Sequence, residues 1–193
     1  SQVLHPRSMQ PCRKTGTPVR VKNSYNIASP GSIIVEKHKG EVSPVRAITA
    51  VKGVTIIDLV STRMLGASGF LAHIFNNFLK WDISIDVIAT SEVSVSLTVN
   101  TKQNLEPLIA DLQNVADVEL KTKKAIVTVI CDVKRSSSIL SACFKALQDN
   151  AINVQMISQG ASKVNVSMLV EETEVNEVVQ VLHKSFIDNK LIY

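Results

Sequence analysis

Two stretches of this chain are copies of one another, 69 residues apart. In the first, the apolar residues Phe70, Leu71, Ile74, Phe75 and Phe78 recur at helical spacing, with His73, Asn76, Asn77 and Lys80 between them. Ile139, Leu140, Cys143, Phe144 and Leu147 repeat that stripe position for position. The strand pair that follows repeats too: DISIDVIATS–EVSVSLTV aligns with AINVQMISQGASKVNVSMLV, with two more residues at the turn. Agreement in both a helix face and a strand pair marks an internal duplication, so the chain must fold as two like units.

Each copy reads β-α-β-β-α. In the first, residues 46–52 and 54–60 form two short strands around Gly53, and Ser68 stands where an N-cap belongs before the helix from Phe70. Strands follow at 83–89 and 93–99, the second in strict alternation. A helix then opens at Asn104 with Leu105, Leu108, Ile109, Leu112 and Val115 inward, and residues 118–120 can add a short closing strand. In the second copy, 124–130 is a strand, Ser136 to Ser138 a capping cluster, and 174–186 the last helix with Val175, Val178, Val179, Leu182 and Phe186 on one side. Such a split β-α-β unit closes with a fourth strand into an antiparallel sheet carrying two helices on one face. The second copy runs out of chain before its fourth strand, while 46–52 is a strand to spare. The fold is therefore α+β: two ferredoxin-like βαββαβ units, the first inserted into the second.

Residues 1–35 differ in kind. They carry four of the six prolines and two short β-type runs around an Asn/Ser/Pro/Gly cluster, and a segment this short cannot bury a core of its own. Residues 1–52 hold nine Lys/Arg against two Asp/Glu, a net of +7, whereas 53–193 are net −3. The basic excess thus lies outside the repeat, where it makes no uniform footprint for nucleic acid. RNA-recognition sheets also stack bases on strand aromatics, and 93–99 and 164–170 have none. No apolar run approaches the ~20 residues a membrane span needs, and no apolar signal region opens the chain. Cys12, Cys131 and Cys143 show no C-x-x-C spacing, so neither a disulfide framework nor a metal site is expected. His5, His38, His73 and His183 make no catalytic constellation, and neither a Walker nor a dinucleotide glycine pattern occurs. No catalytic residue is assigned.

One chemistry remains. TRMLGASGFLA places free backbone N–H groups at Gly69, Phe70 and Leu71 on the positive end of a helix, a site for a carboxylate. The small residues Gly66, Ala67 and Gly69 admit a ligand close to the backbone. Strand ends nearby supply Asp86 and Glu92, flanked by Ser84, Thr90 and Ser91. A carboxylate-binding end and two anionic side chains suit an amino acid with two ammonium groups, which describes lysine. The second copy has Gln155 in place of Asp86 and Lys163 in place of Glu92, so it lacks this chemistry.

The strings VSTRMLGASGFLAHIF, ISIDVIATSEVSVSLT and INVQMISQGASKVNVS resemble the paired ACT domains at the C-terminus of aspartate kinases, most like the lysine-sensitive plant type. VLHPRSMQP and PVRVKNSYN resemble the end of that family's amino-acid-kinase domain. The resemblance implies residues 1–36 as the end of the catalytic domain, 37–45 as a linker, 54–123 as an effector-binding ACT domain, and 46–53 with 124–193 as the second ACT domain. It implies feedback control by L-lysine, with S-adenosylmethionine a second candidate, and homodimerisation through ACT domains. Carried over by position, the pocket comprises Met64, Ala67, Gly69, Phe70, Leu71, Ser84, Ile85, Asp86, Thr90, Ser91 and Glu92. Asp86 would take the α-ammonium, Glu92 the side-chain ammonium, and the Phe70 and Leu71 N–H groups the carboxylate.

Two departures bear on this assignment. Ala67 stands where bacterial lysine-sensitive members have a serine, and Gln2 where some members have a lysine that touches the nucleotide. The family's Lys-Phe-Gly-Gly segment is absent, so this chain alone should not phosphorylate aspartate, and no cofactor is expected in it. ATP and Mg belong to the parent enzyme, whose catalytic domain is the implied partner. A plant-type source implies the plastid stroma, any other the cytoplasm. A non-sensing ACT module that only joins subunits stays open as the alternative.

Overall fold

A computed structural model of the chain describes residues 6–35, 45–62, 68–131, 136–160 and 165–188. It divides into two compact units, residues 1–42 and 43–193. The first contains a helix, α1 (Pro6–Thr15), which the sequence analysis did not assign. Pro6 is tolerated there as the first helical residue. A short hairpin follows, β1 (Val19–Val21) antiparallel to β2 (Ser32–Ile34). Gly31, at φ 68°, permits it: a Cβ would lie 2.2 Å from the carbonyl oxygen of Val21. Tyr25, Ile27, Ile33, Ile34 and Val35 are all exposed, and among its described residues this unit buries no core of its own.

The second unit is built on two long strands. β3 runs unbroken over Val45–Val60, where two short strands were expected. β6 runs over Asp117–Cys131, merging the expected strands at 118–120 and 124–130. Around them lie α2 (Phe70–Lys80), β4 (Val87–Thr90), β5 (Ser94–Val99), α3 (Leu105–Gln113), α4 (Ser136–Gln148), β7 (Met156–Gln159), β8 (Asn165–Glu171) and α5 (Val175–His183), which ends in a π-turn, Lys184–Asp188. The six-stranded antiparallel sheet has the order β4-β5-β3-β6-β8-β7. Each copy contributes one half. The N-terminal half of β3 pairs with the β6 segment of the second copy, from Val45 opposite Cys131 to Lys52 opposite Ala125, and so supplies its missing strand.

Two irregularities join the halves. Lys52 pairs with Ala125 but Val54 with Lys124, so Gly53 is an added residue in β3; Ile56 then pairs with Lys121, which puts an added residue in β6. Gly53 and Lys123 both have positive φ, 75° and 57°. An extra residue reverses which alternate side chains face each side of a strand. On β6 the helix-facing residues accordingly switch from Val118 to Ala125, Val127 and Val129; on β3 they switch from Ile48 to Ile57 and Leu59. All four helices therefore lie on one side of a continuous sheet, over two separate cores. The opposite faces fold together around Val54, Ile56, Ile126, Met156 and Leu169, with Val87 of β4 and Ala89 packed beside them.

Several local expectations are corrected. Gly69, not Ser68, is the N-cap of α2, with φ 89° and no side-chain cap bond. Ser136 to Ser138 lie inside α4 rather than before it. The strand expected over 83–89 begins only at Val87. Ile74 and Phe78 are buried as the stripe predicts, but Leu71 and Phe75 are more than a third exposed, because only a narrow strip of α2 reaches the sheet. No helix among the described residues is long and apolar enough to cross a membrane.

Candidate functional site

Of the residues proposed from sequence, Ser84, Ile85, Asp86, Thr90, Ser91 and Glu92 lie on or beside β4, the edge strand of the first copy, and Gly69, Phe70 and Leu71 lie at the start of α2. Met64 and Ala67 lie outside the described residues. Of the others, Gly69, Leu71, Ser84, Asp86, Thr90, Ser91 and Glu92 are exposed, and Phe70 and Ile85 are half-buried against the core under α2 and α3. An edge strand leaves one row of backbone groups unpaired, so β4 offers hydrogen bonds as well as side chains.

These residues fall into two groups at opposite ends of β4. The Asp86 N–H donates to the Thr98 carbonyl at 2.9 Å, and the Val87 N–H to Thr98 Oγ1 at 2.9 Å. Thr98 is fully buried and fixes this end; the alternation of β5 had put it on the polar side, which proves to face the second copy rather than solvent. At the other end, the Ser91 N–H donates to the Ser94 carbonyl at 2.8 Å, the two hydroxyls meet at 2.6 Å, and Glu92 occupies the turn. Ser94 is thus a participant the sequence reading missed, since an alternating polar residue carries no signal of a turn partner. At a strand rise of ~3.3 Å per residue, Asp86 and Thr90 stand about 13 Å apart.

The start of α2 belongs to the Glu92 end. Asn104 Nδ2 donates to the Trp81 carbonyl at 3.0 Å, which pins the last turn of α2 beside the end of β5, near Asp86. Lys80 and Trp81 both hydrogen-bond Asp111 of α3, at 2.6 and 2.8 Å, and these bonds hold its carboxyl below the usual range. The eleven residues of α2 then carry Gly69, Phe70 and Leu71 about 15 Å away, toward the other end of the strand. Within one chain the helix N–H groups and Asp86 are therefore not neighbours. The first N–H groups of α2 have no partner within the helix, as at any helix start.

Asp86 differs electrostatically from its counterpart in the second copy. Partial desolvation raises its carboxyl above the ordinary 3.8 although the residue stays exposed, and among the described residues it has no cation partner. Gln155 instead donates to Glu171, which also accepts from Lys124, and these bonds lower the Glu171 carboxyl. A cleft of roughly 550 Å³ lies between the sheet halves, lined by Asp58, Lys121, Lys124 and Gln155 among others. Its charges already neutralise one another, with Lys121 2.7 Å from Asp58 and 3.4 Å from Glu119. Cys143 is buried and its thiol is pushed up to about 12, first by desolvation and then by Cys131, which makes it inert. Among the described residues no His/Cys/Asp/Glu group could hold a metal ion.

Residues 127–186 match the family model of the ACT domain. The chain is 45% identical over 197 residues to the chloroplastic aspartokinase 3 of Arabidopsis thaliana and 46% identical over 198 residues to its chloroplastic aspartokinase 1, covering 97% and 98% of this chain. It spans about a third of the length of these curated relatives, 35% of each. A crystal structure of E. coli aspartokinase III in complex with lysine and aspartate, in the T-state, superposes with a TM-score of 0.81 at 31% identity, over 96% of this chain and 42% of that one.

Proposed function

Because the chain belongs with the ACT-domain regulatory regions of aspartokinases, we propose that it senses L-lysine on the β4 edge of its first ACT domain and so controls the attached kinase. In this reading residues 54–123 form the effector domain, 46–53 with 124–193 the second ACT domain, and 1–36 the end of the amino-acid-kinase domain. That domain, with ATP and Mg, would phosphorylate aspartate. The chloroplastic relatives favour the plastid stroma.

The observation that carries the reading is the placement of two carboxylates at the two ends of one exposed edge strand. Extended lysine laid along β4 would put its α-ammonium at Asp86 and its side-chain ammonium at Glu92, each a charge-assisted hydrogen bond. Its carboxylate must then lie at the Asp86 end, remote from this chain's own helix start. Two β4 edges set antiparallel would bring the Phe70 and Leu71 N–H groups of a second copy to that point, so the site would be completed only in a homodimer. The lysine complex of the E. coli relative supports the choice of effector.

Calorimetry tests the reading. Lysine should release heat, with threonine and ornithine weaker, the latter because it is one methylene too short to reach both carboxylates. S-adenosylmethionine is the second effector to titrate. Glu92→Ala should weaken lysine by about tenfold, the worth of one charge-assisted hydrogen bond. Absence of heat with millimolar lysine would leave a module that only joins subunits.

A further inference from the structure

We infer that Glu172 is a positioning residue: it locks the bend between the two sheet halves and thereby holds the effector edge in place. Two added residues mark the crossing of β3 and β6. Gly53 and Lys123 are the positive-φ residues of these strands, one in each. A bulge leaves its extra residue outside the ladder, so its backbone groups need a partner from elsewhere. Glu172 serves both. Its carboxylate Oε2 accepts from the Gly53 N–H at 3.1 Å, and its own N–H donates to the Lys123 carbonyl at 3.0 Å. A single residue just past the end of β8 thus ties the two irregularities together.

The bend matters because β4 rests on the second copy. Val87 and Ala89 pack across the interior against Met156, at the start of β7, and Leu169 of β8. Asp86 is anchored through Thr98 at one end of that strand. The angle between the halves therefore sets how firmly the back of β4 is supported. Space around Gly53 is open, with only Asn100 Oδ1 3.9 Å from a Cβ there, so no steric contact replaces the hydrogen bond. The position equivalent to Glu172 in the first copy is Thr101, too short to bridge strands in this way.

Only the consequence for lysine rests on the effector reading; the structural claim does not. Hydrogen exchange on the whole chain, read at Gly53 and across Val87–Thr90, tests it. Glu172→Ala should speed exchange at both places by about tenfold, the scale of one lost hydrogen bond to a charged group. Glu172→Gln, which keeps an acceptor oxygen, should restore protection, and Glu172→Asp, too short to reach Gly53, should not. Lysine affinity should fall severalfold in the Ala and Asp variants and recover in Gln. Unchanged exchange at Val87–Thr90 in a folded Ala or Asp variant would overturn the proposal. If the parent chain binds no lysine, the effector reading fails while the exchange data still decide the role of Glu172.

Discussion

The two ACT copies share a scaffold and differ at their edges. The 69-residue offset survives in three dimensions: β4 at Val87–Thr90 corresponds to β7 at Met156–Gln159, and the left-handed residues Asp82 and Ala151 end equivalent helices. Their cores match as well, with Leu97 buried in one and Met168 in the other. The edges are unlike. Asp86 is left with a raised carboxyl and no cation among the described residues, while Gln155 is tied into a bond with Glu171. Duplication preserved what packing requires and left the charge of the edge free to differ. The second copy has become the wall against which the first is braced.

The core comparison predicts the largest effect. Leu97→Ala and Met168→Ala each remove a fully buried side chain, one from each copy, and each should cost about 2–5 kcal/mol in stability. Because β3 and β6 pass through both cores, both substitutions should move the same single melting transition. Two separate transitions in scanning calorimetry would show that the copies unfold independently.

The edge comparison comes next. Asp86→Asn should weaken lysine by about tenfold or more, whereas Gln155→Ala should leave it within about twofold. The pH dependence follows from the raised carboxyl. Asp86 binds its proton more readily in the folded chain than in the unfolded one. Ionised Asp86 is therefore mildly destabilising at neutral pH, and that penalty vanishes below the ordinary value of 3.8. A cationic ligand relieves it, so lysine affinity should fall as the solution is acidified from about pH 7 toward the raised pKa, earlier than an ordinary aspartate would allow. In Asp86→Asn titrations this part of the slope should be missing. A slope equal to that of the parent would show that another group titrates.

The smallest difference concerns the helix ends. Ala151 holds φ 55°, where alanine is strained, and its counterpart Asp82 holds 53°, where aspartate is better tolerated. Ala151→Gly should therefore stabilise by about 1 kcal/mol, and Asp82→Gly by less. Thermal melts that rank the two in reverse order would point to a side-chain role for Asp82.

Much of this molecule follows from the sequence alone. Periodicity located the helices α2 to α5, because a stripe such as Val175, Val178 and Leu182 can bury itself in only one way. The repeat and the spare strand at 46–52 gave the insertion of one unit into the other, since a ferredoxin-like sheet needs a fourth strand from somewhere. Residue types alone also marked Asp86 and Glu92 as unlike their counterparts. Tertiary structure decided the rest. Nothing local says that 46–52 and 54–60 form one strand, because Gly53 looks the same as a break and as a bulge. Thr98 falls on the polar side of the alternation along β5, yet it is buried, because burial there depends on a sheet some seventy residues away folding back. The residues proposed for lysine form one cluster along the chain, but β4 separates them by its own length. Which end of a strand a helix begins on is set by packing between elements, and no spacing in the sequence records it.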